Sequence, residues 1–215
     1  MLTILNIMEW RERRDRLNLS QADVARAAGI SRTALSLIEN GHLRPSGRTA
    51  QALERALDPF TDPVRLVHGG GPLAAARLLR EAAKDTGLPY ALTLDVAAWL
   101  LLSYQTPAAA WAYVRPLRTW VRTLRRRGVR TARPGKRADL VLLRAPEDAL
   151  TNTQDHEGFV LVQPRLLLED CARLGGRHTL DAARVYVAFP EVRIPGLRLD
   201  PDALLKVYEE VVAST

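Results

Sequence analysis

Residues able to do covalent or metal chemistry are thinly spread along this chain. His42, His68, His156 and His178 are isolated from one another, and Cys171 is the single cysteine. Structural zinc sites draw ligands from short, regular intervals, and no Cys/His spacing here suggests one. Cys171 lies in the apolar stretch LLLEDCARL, which reads as a buried helical thiol rather than a nucleophile. Asp139, Glu147 and Asp148 make a carboxylate set, but no lysine follows at the spacing that metal-dependent nuclease chemistry uses. They are expected to cap a turn near Pro146. The GGGP at 69–72 lacks the Gly-Lys-Ser/Thr that completes a phosphate loop. A Gly-Ser turn with an Asp-x-Asp pair, as a nucleotidyltransferase would need, is absent, and Asp155-His156-Glu157 reads as a polar loop tip. The expectation is no enzyme: no catalytic residue, no metal and no cofactor.

The remaining chemistry is cationic. Thirty-one Lys and Arg against 24 Asp and Glu give a net charge of +7, which makes a polyanion a natural partner. Arginine dominates, with lysine only at 84, 136 and 206, and guanidinium groups suit bidentate phosphate contacts. Between Asp95 and Asp139 there is no acidic residue, yet ten cations fall in that interval, from Arg115 to Arg137. In PLRTWVRTLRRRGV, the residues Leu117, Trp120, Val121 and Leu124 recur at helical spacing, and Arg118, Arg122, Arg125 and Arg126 lie away from that stripe. With Arg127 and Arg130 they form a second surface. Three uses stay open for it: a solvated face, a polyanion contact, or a contact with an acidic protein.

The elements that must carry these groups fall into two blocks. Residues 8–57 are Ala-rich and strongly helical, and 57–72, LDPFTDPVRLVHGGGP, is punctuated by proline and glycine as a connection would be. Beyond it, helices are expected over 73–85, through DVAAWLLLSY with Thr93 or Asp95 as cap, and from Pro116 to a stop at Gly128. QPRLLLEDCARLGG, TLDAARVYVAF and DPDALLKVYEEVVA should be helical as well. AAWAYV, ADLVLLRA and GFVLVQ read as buried strands, with TNTQDHEG a polar loop. The domains are therefore 1–60, a linker over 61–72, and 73–215.

Within the first block, SQADVARAAGISRTALSLIENG reads as two short helices around a tight turn. Counting from Gln21, Ala25 is fifth, where crossing helices need a small residue, and Gly29 is ninth, where a left-handed backbone is cheap for glycine. Val24, Ala28, Ile30, Leu35 and Ile38 would close a core between the helices. Ser20 and Asp23 have capping-box spacing, and Ser31 can cap the second helix. LNLSQADVARAAGISRTALSLIENGHLRPS resembles the XRE or lambda-repressor-like DNA-binding domain over about residues 8–60. The resemblance implies five helices, with the second motif helix in the major groove. It implies that Arg32, Thr33, Ser36 and Leu37 face base edges, and that Gln21 contacts phosphate and braces the reading helix. Asn40, His42 and Arg44 would meet backbone phosphates. Glu39, which would repel phosphate, is expected to be a partner inside the domain.

Over residues 72–189 a second likeness is carried by VQPRLLLEDCARLGGRHTLDAARVY and by ADLVLLRAPEDAL: this part is similar to the AbiEi-type antitoxin regulators. That family implies a repressor and antitoxin, encoded beside a nucleotidyltransferase-like toxin. The fold expected for the whole chain is a mainly α, five-helix DNA-binding domain followed by an α/β domain with a small mixed sheet. The function expected is sequence-specific transcriptional regulation by a dimeric repressor on double-stranded operator DNA, using the helix from Ser31 to Asn40. The alternative is a type IV antitoxin that neutralises a toxin and autoregulates its operon. MLTILNIMEW lacks a basic n-region and a small-residue cleavage site, and runs such as AAWLLL are too short to cross a bilayer. A cytoplasmic protein with no membrane partner is expected, and one cysteine suits a reducing compartment.

Overall fold

The computed structural model describes residues 5–17, 19–103, 106–133, 136–175, 177–189 and 192. The helix expected over DPDALLKVYEEVVA lies outside the described residues. The chain divides between Pro63 and Val64 into two compact units, with the short segment Arg144–Asp148 grouped with the first.

The first unit holds α1 (Leu5–Arg16), α2 (Gln21–Ala28), α3 (Arg32–Glu39) and α4 (Gly47–Ala56). Each boundary has a local cause. Ser20, Ser31 and Ser46 are extended residues whose hydroxyls accept from the backbone N–H three positions on, at Asp23, Ala34 and Thr49. Gly29 ends α2 at φ +68°, in the left-handed region, so the chain turns there at little steric cost. The core of this unit is Trp10, Leu17, Leu19, Val24, Ala25, Leu35, Ile38, Ala50, Leu53 and Leu57, with Ala28 and Ile30 packed against it half-buried. Four helices stand among the described residues of this unit, where the resemblance implied five. After α4 the chain turns instead: Asp58 Oδ1 accepts from Phe60 N, and Pro59 and Pro63 supply no N–H for a fifth helix.

The second unit is an α/β fold around one mixed sheet. Its elements are β1 (Val64–Val67), α5 (Gly71–Thr86), β2 (Tyr90–Thr93), α6 (Leu94–Leu102), β3 (Ala110–Val114), α7 (Leu117–Arg126), β4 (Arg130–Thr131), β5 (Leu140–Arg144), α8 (Asp148–Thr151), β6 (Thr153–His156), β7 (Phe159–Val162), α9 (Pro164–Leu174) and α10 (His178–Ala188). The strand order is β4-β1-β5-β3-β2-β7-β6. β2 runs antiparallel to β3 and parallel to β7, which makes the sheet mixed. Its central strands are apolar on both faces, as in the fully buried Leu140, Val141, Leu142 and Leu143, the pattern of a sheet shielded on both sides.

Three strands coincide with the apolar runs of the sequence, and four do not. β1 lies inside the stretch read as a linker, where Leu66 is fully buried and pairs with Leu140 and Thr131. TNTQDHEG, read as a loop, instead forms β6 and a tight hairpin into β7, with His156 opposite Phe159. Glu157 and Gly158 both take positive φ, +54° and +76°, the geometry of a type I′ turn. Asp155 Oδ1 accepts from Gly158 N and closes that turn.

Candidate nucleic-acid interface

Helix α3 has two chemically different sides. Leu35 and Ile38 are buried in the first core, while Arg32, Thr33, Leu37 and Asn40 are exposed and Ser36 is half-buried. These five positions, spaced i, i+1, i+4, i+5 and i+8, form one face. Leu37 is 41% exposed, an apolar group held in water beside an arginine and two hydroxyls. Asn40 Nδ2 lies 3.5 Å from Ser36 Oγ, one turn back along the same face. His42 and Arg44 are exposed just beyond, on the turn that Gly41 makes at φ +76°.

The helix is braced from behind by charge. Glu39 is buried, and its carboxylate takes two bonds from the Arg14 guanidinium, Nε at 2.6 Å and Nη2 at 3.2 Å. Gln21 Nε2 donates to the same carboxylate at 2.8 Å, and Arg14 also reaches the carbonyl of Leu19. Three helices are thereby tied at one acid: α1 through Arg14, α2 through Gln21 and α3 through Glu39. The bonds to Glu39 raise the Arg14 pKa above its ordinary value. Removing one partner of such a buried, paired set leaves an uncompensated charge, which costs about 3–5 kcal/mol. Gln21 is half-buried and engaged here, so its amide is a brace in this structure. Arg14 is the residue sequence reasoning missed, because nothing in its spacing joins it to Glu39. At the head of α2, the Ser20 hydroxyl holds Asp23 below the usual carboxylate range.

In the second unit, Trp120 and Leu124 anchor α7 in the core, and Trp120 Nε1 donates to the carbonyl of Pro89. The opposite side presents Arg118, Arg122, Arg125 and Arg126, all exposed, with Arg130 on the edge strand β4. Among the described residues, Arg118, Arg122, Arg126 and Arg130 have no carboxylate within ion-pair distance. Arg127 departs from the expectation: it is half-buried and pairs with Asp85 of α5. Arg125 donates to the hydroxyl of Thr131.

Several acids of the second unit are engaged within it. Asp139 is expected from the sequence to cap a turn near Pro146, but its Oδ2 accepts from the backbone N–H groups of His68 and Gly69, far back along the chain. Asp170 is buried on α9 and takes hydrogen bonds from Thr93 Oγ1 at 2.6 Å and Tyr113 Oη at 2.8 Å. Burial nevertheless pushes its pKa up to about 7. Burial also raises the Cys171 thiol, which keeps it protonated and inert. Thr93 stands at the N-terminus of α6 without capping it by its side chain, since its hydroxyl goes to Asp170. The next acid, Asp95, lies beside His178 and Asp181 of α10, and all three are buried. Burial works against the charge of His178, but Asp181 and Asp95 outweigh it and push the imidazole up to about 9. Burial likewise opposes ionisation of Asp95, and the contact with His178 more than offsets it.

A four-helix unit with two serine-capped helices around a glycine turn, presenting a polar face on the second, defines a helix-turn-helix protein. A family model described as helix-turn-helix matches residues 11–61. That match and the geometry agree: the first unit carries a helix-turn-helix domain, and an α/β domain follows it. No curated protein and no solved structure matches the chain significantly. No helix among the described residues is long and apolar enough to cross a membrane.

Proposed function

We propose that the chain is a sequence-specific transcriptional repressor that acts as a dimer in the cytoplasm and reads an operator with the helix from Ser31 to Asn40. The observation that carries this reading is the exposed face of Arg32, Thr33, Ser36, Leu37 and Asn40, on a helix whose one acid is turned inward onto Arg14 and Gln21. A carboxylate on that face would repel phosphate. Sequestering Glu39 removes the repulsion and stiffens the reading helix at once. His42 and Arg44 extend the face toward backbone phosphates, which position a protein without reading sequence. The second unit is regulatory rather than catalytic, and needs no cofactor for DNA reading. In support, Asp139 holds the backbone at His68 and Gly69, and Asp155 closes a hairpin.

The arginines of α7 favour a second role beside the first. A cationic face without local counter-charge suits the acidic surface of a protein, and the likeness to the AbiEi-type antitoxins would make that partner a nucleotidyltransferase-like toxin encoded nearby. The test of the main reading is footprinting of the full chain on DNA around its own promoter. A discrete protected site is expected, and uniform, sequence-independent retardation at every salt concentration would overturn it. Co-purification of a neighbouring gene product tests the second role.

A further inference from the structure

We infer that Asp95, His178 and Asp181 form a binding site in the second unit for one divalent transition-metal ion of the zinc class. Three observations converge on it. First, the chemistry of the set: two carboxylates and one imidazole are hard and borderline donors that suit zinc and its first-row neighbours. Together with a neutral imidazole they carry two negative charges, which a dication cancels. Even a protonated His178 offsets only one of the two carboxylates, and burying the remaining charge is costly.

Second, the spacing. His178 Nδ1 lies 3.1 Å from Asp95 Oδ1 and 3.4 Å from Asp181 Oδ2. Ligand atoms about 2.0–2.2 Å from a tetrahedral ion are separated by roughly 3.3–3.5 Å. The three donor atoms all lie within 4.8 Å of one another.

Third, the orphaned atoms. Asp95 Oδ1 and His178 Nδ1 are both buried and lie 3.1 Å apart, yet neither makes a well-aligned hydrogen bond. Their side chains are 1% and 10% exposed, so bulk water does not satisfy them either. Buried polar atoms left this way are rare in folded proteins and call for a partner.

The support behind the donors is also in place. Asp95 Oδ2 is held by the backbone N–H groups of Ala108 and Ala109, at 2.9 and 3.1 Å, which fixes the carboxylate and leaves Oδ1 to point into the cluster. Such outer bonds orient metal ligands and sharpen affinity. Arg177 Nε also faces the group, 4.0 Å from Asp95 Oδ1, on a 40% exposed side chain. With three protein donors, a fourth position is left for water. The ion would clasp the start of α6 to the start of α10.

The test is calorimetric titration of the metal-stripped full chain with zinc chloride. One equivalent should bind, and Asp181→Asn and His178→Gln should each weaken binding at least tenfold, with folding of the variants checked by circular dichroism. Anomalous scattering at the zinc edge, from crystals of the unmodified chain grown with zinc, locates the ion without any variant. A peak among the three side chains supports the site. No saturable binding, unchanged affinity in His178→Gln, or a peak elsewhere overturns it in favour of a protonated histidine shared by two acids. None of these readouts depends on DNA binding.

Discussion

At the residue scale, two side chains do opposite things with charge. Arg32 stands exposed at the first position of α3, where its guanidinium can pair with the O6 and N7 of a guanine. Arg32→Ala should relax base preference at one position of each half-site and cost about 1–3 kcal/mol of discrimination there. Selection of binding sequences from a random pool measures this, and an unchanged consensus would mean that another element reads the groove. Asp170 is the buried counterpart. Its carboxyl titrates near 7 in the fold, against about 3.9 in the unfolded chain. Between those values the folded state keeps a proton that the unfolded state has lost. Its contribution is therefore full below about pH 4 and lost as pH rises to about 7, by roughly 4 kcal/mol in all. Asp170→Asn should flatten this part of the stability curve. Urea denaturation of both proteins at pH 4.5 and 7.5 gives the comparison, and equal changes in the two would show that Asp170 does not titrate in this range.

At the element scale, legibility in the sequence followed how local each determinant is. The helix-turn-helix could be read because Ser20, Ala25, Gly29, Ser31, Leu35 and Ile38 each satisfy a steric or capping demand within a few residues. The apolar runs of β3, β5 and β7 were equally plain. β6 was not, because TQDH has no apolar alternation and is held by the hairpin turn at Glu157 and Gly158. β1 was masked by the prolines and glycines around it, and depends on pairing with β5 and β4 far along the chain. The Arg14–Glu39–Gln21 tie and the Asp95–His178–Asp181 cluster are tertiary meetings that no spacing announces. Helix α7 is the mixed case. Its apolar stripe was legible, while the diversion of Arg127 to Asp85 was not. If its outer face meets DNA, replacing Arg118, Arg122 and Arg126 together by Ser should leave base preference intact. It should also reduce the slope of log affinity against log salt by about 0.9 for each phosphate that is no longer neutralised. An unchanged slope would remove DNA from this face and leave a solvated surface or a protein contact.

At the scale of the whole molecule, one short reading helix sets the terms. The face from Arg32 to Asn40 spans few base pairs, and each correct base contributes about 1–3 kcal/mol. At the low end of that range a single copy falls short of the roughly 4–10 kcal/mol by which specific sites exceed non-specific DNA. Two copies on a two-fold-symmetric site double the specific contacts, and the symmetry of the protein then dictates that of the DNA. In the proposed dimer the two α3 helices would have to reach successive major grooves on one side of the duplex, so half-site centres should lie about 10–10.5 base pairs apart, or a multiple of that. Inserting five base pairs between the half-sites rotates one of them to the opposite side and should lower affinity to that of a single half-site. Inserting ten restores the facing and should recover binding to the extent that the two copies can span the longer distance. Fluorescence anisotropy with the three DNA duplexes, at fixed salt, separates these outcomes. Equal affinity for all three would mean that each copy binds alone, and the dimeric reading would fall while the assignment of α3 to the groove stood.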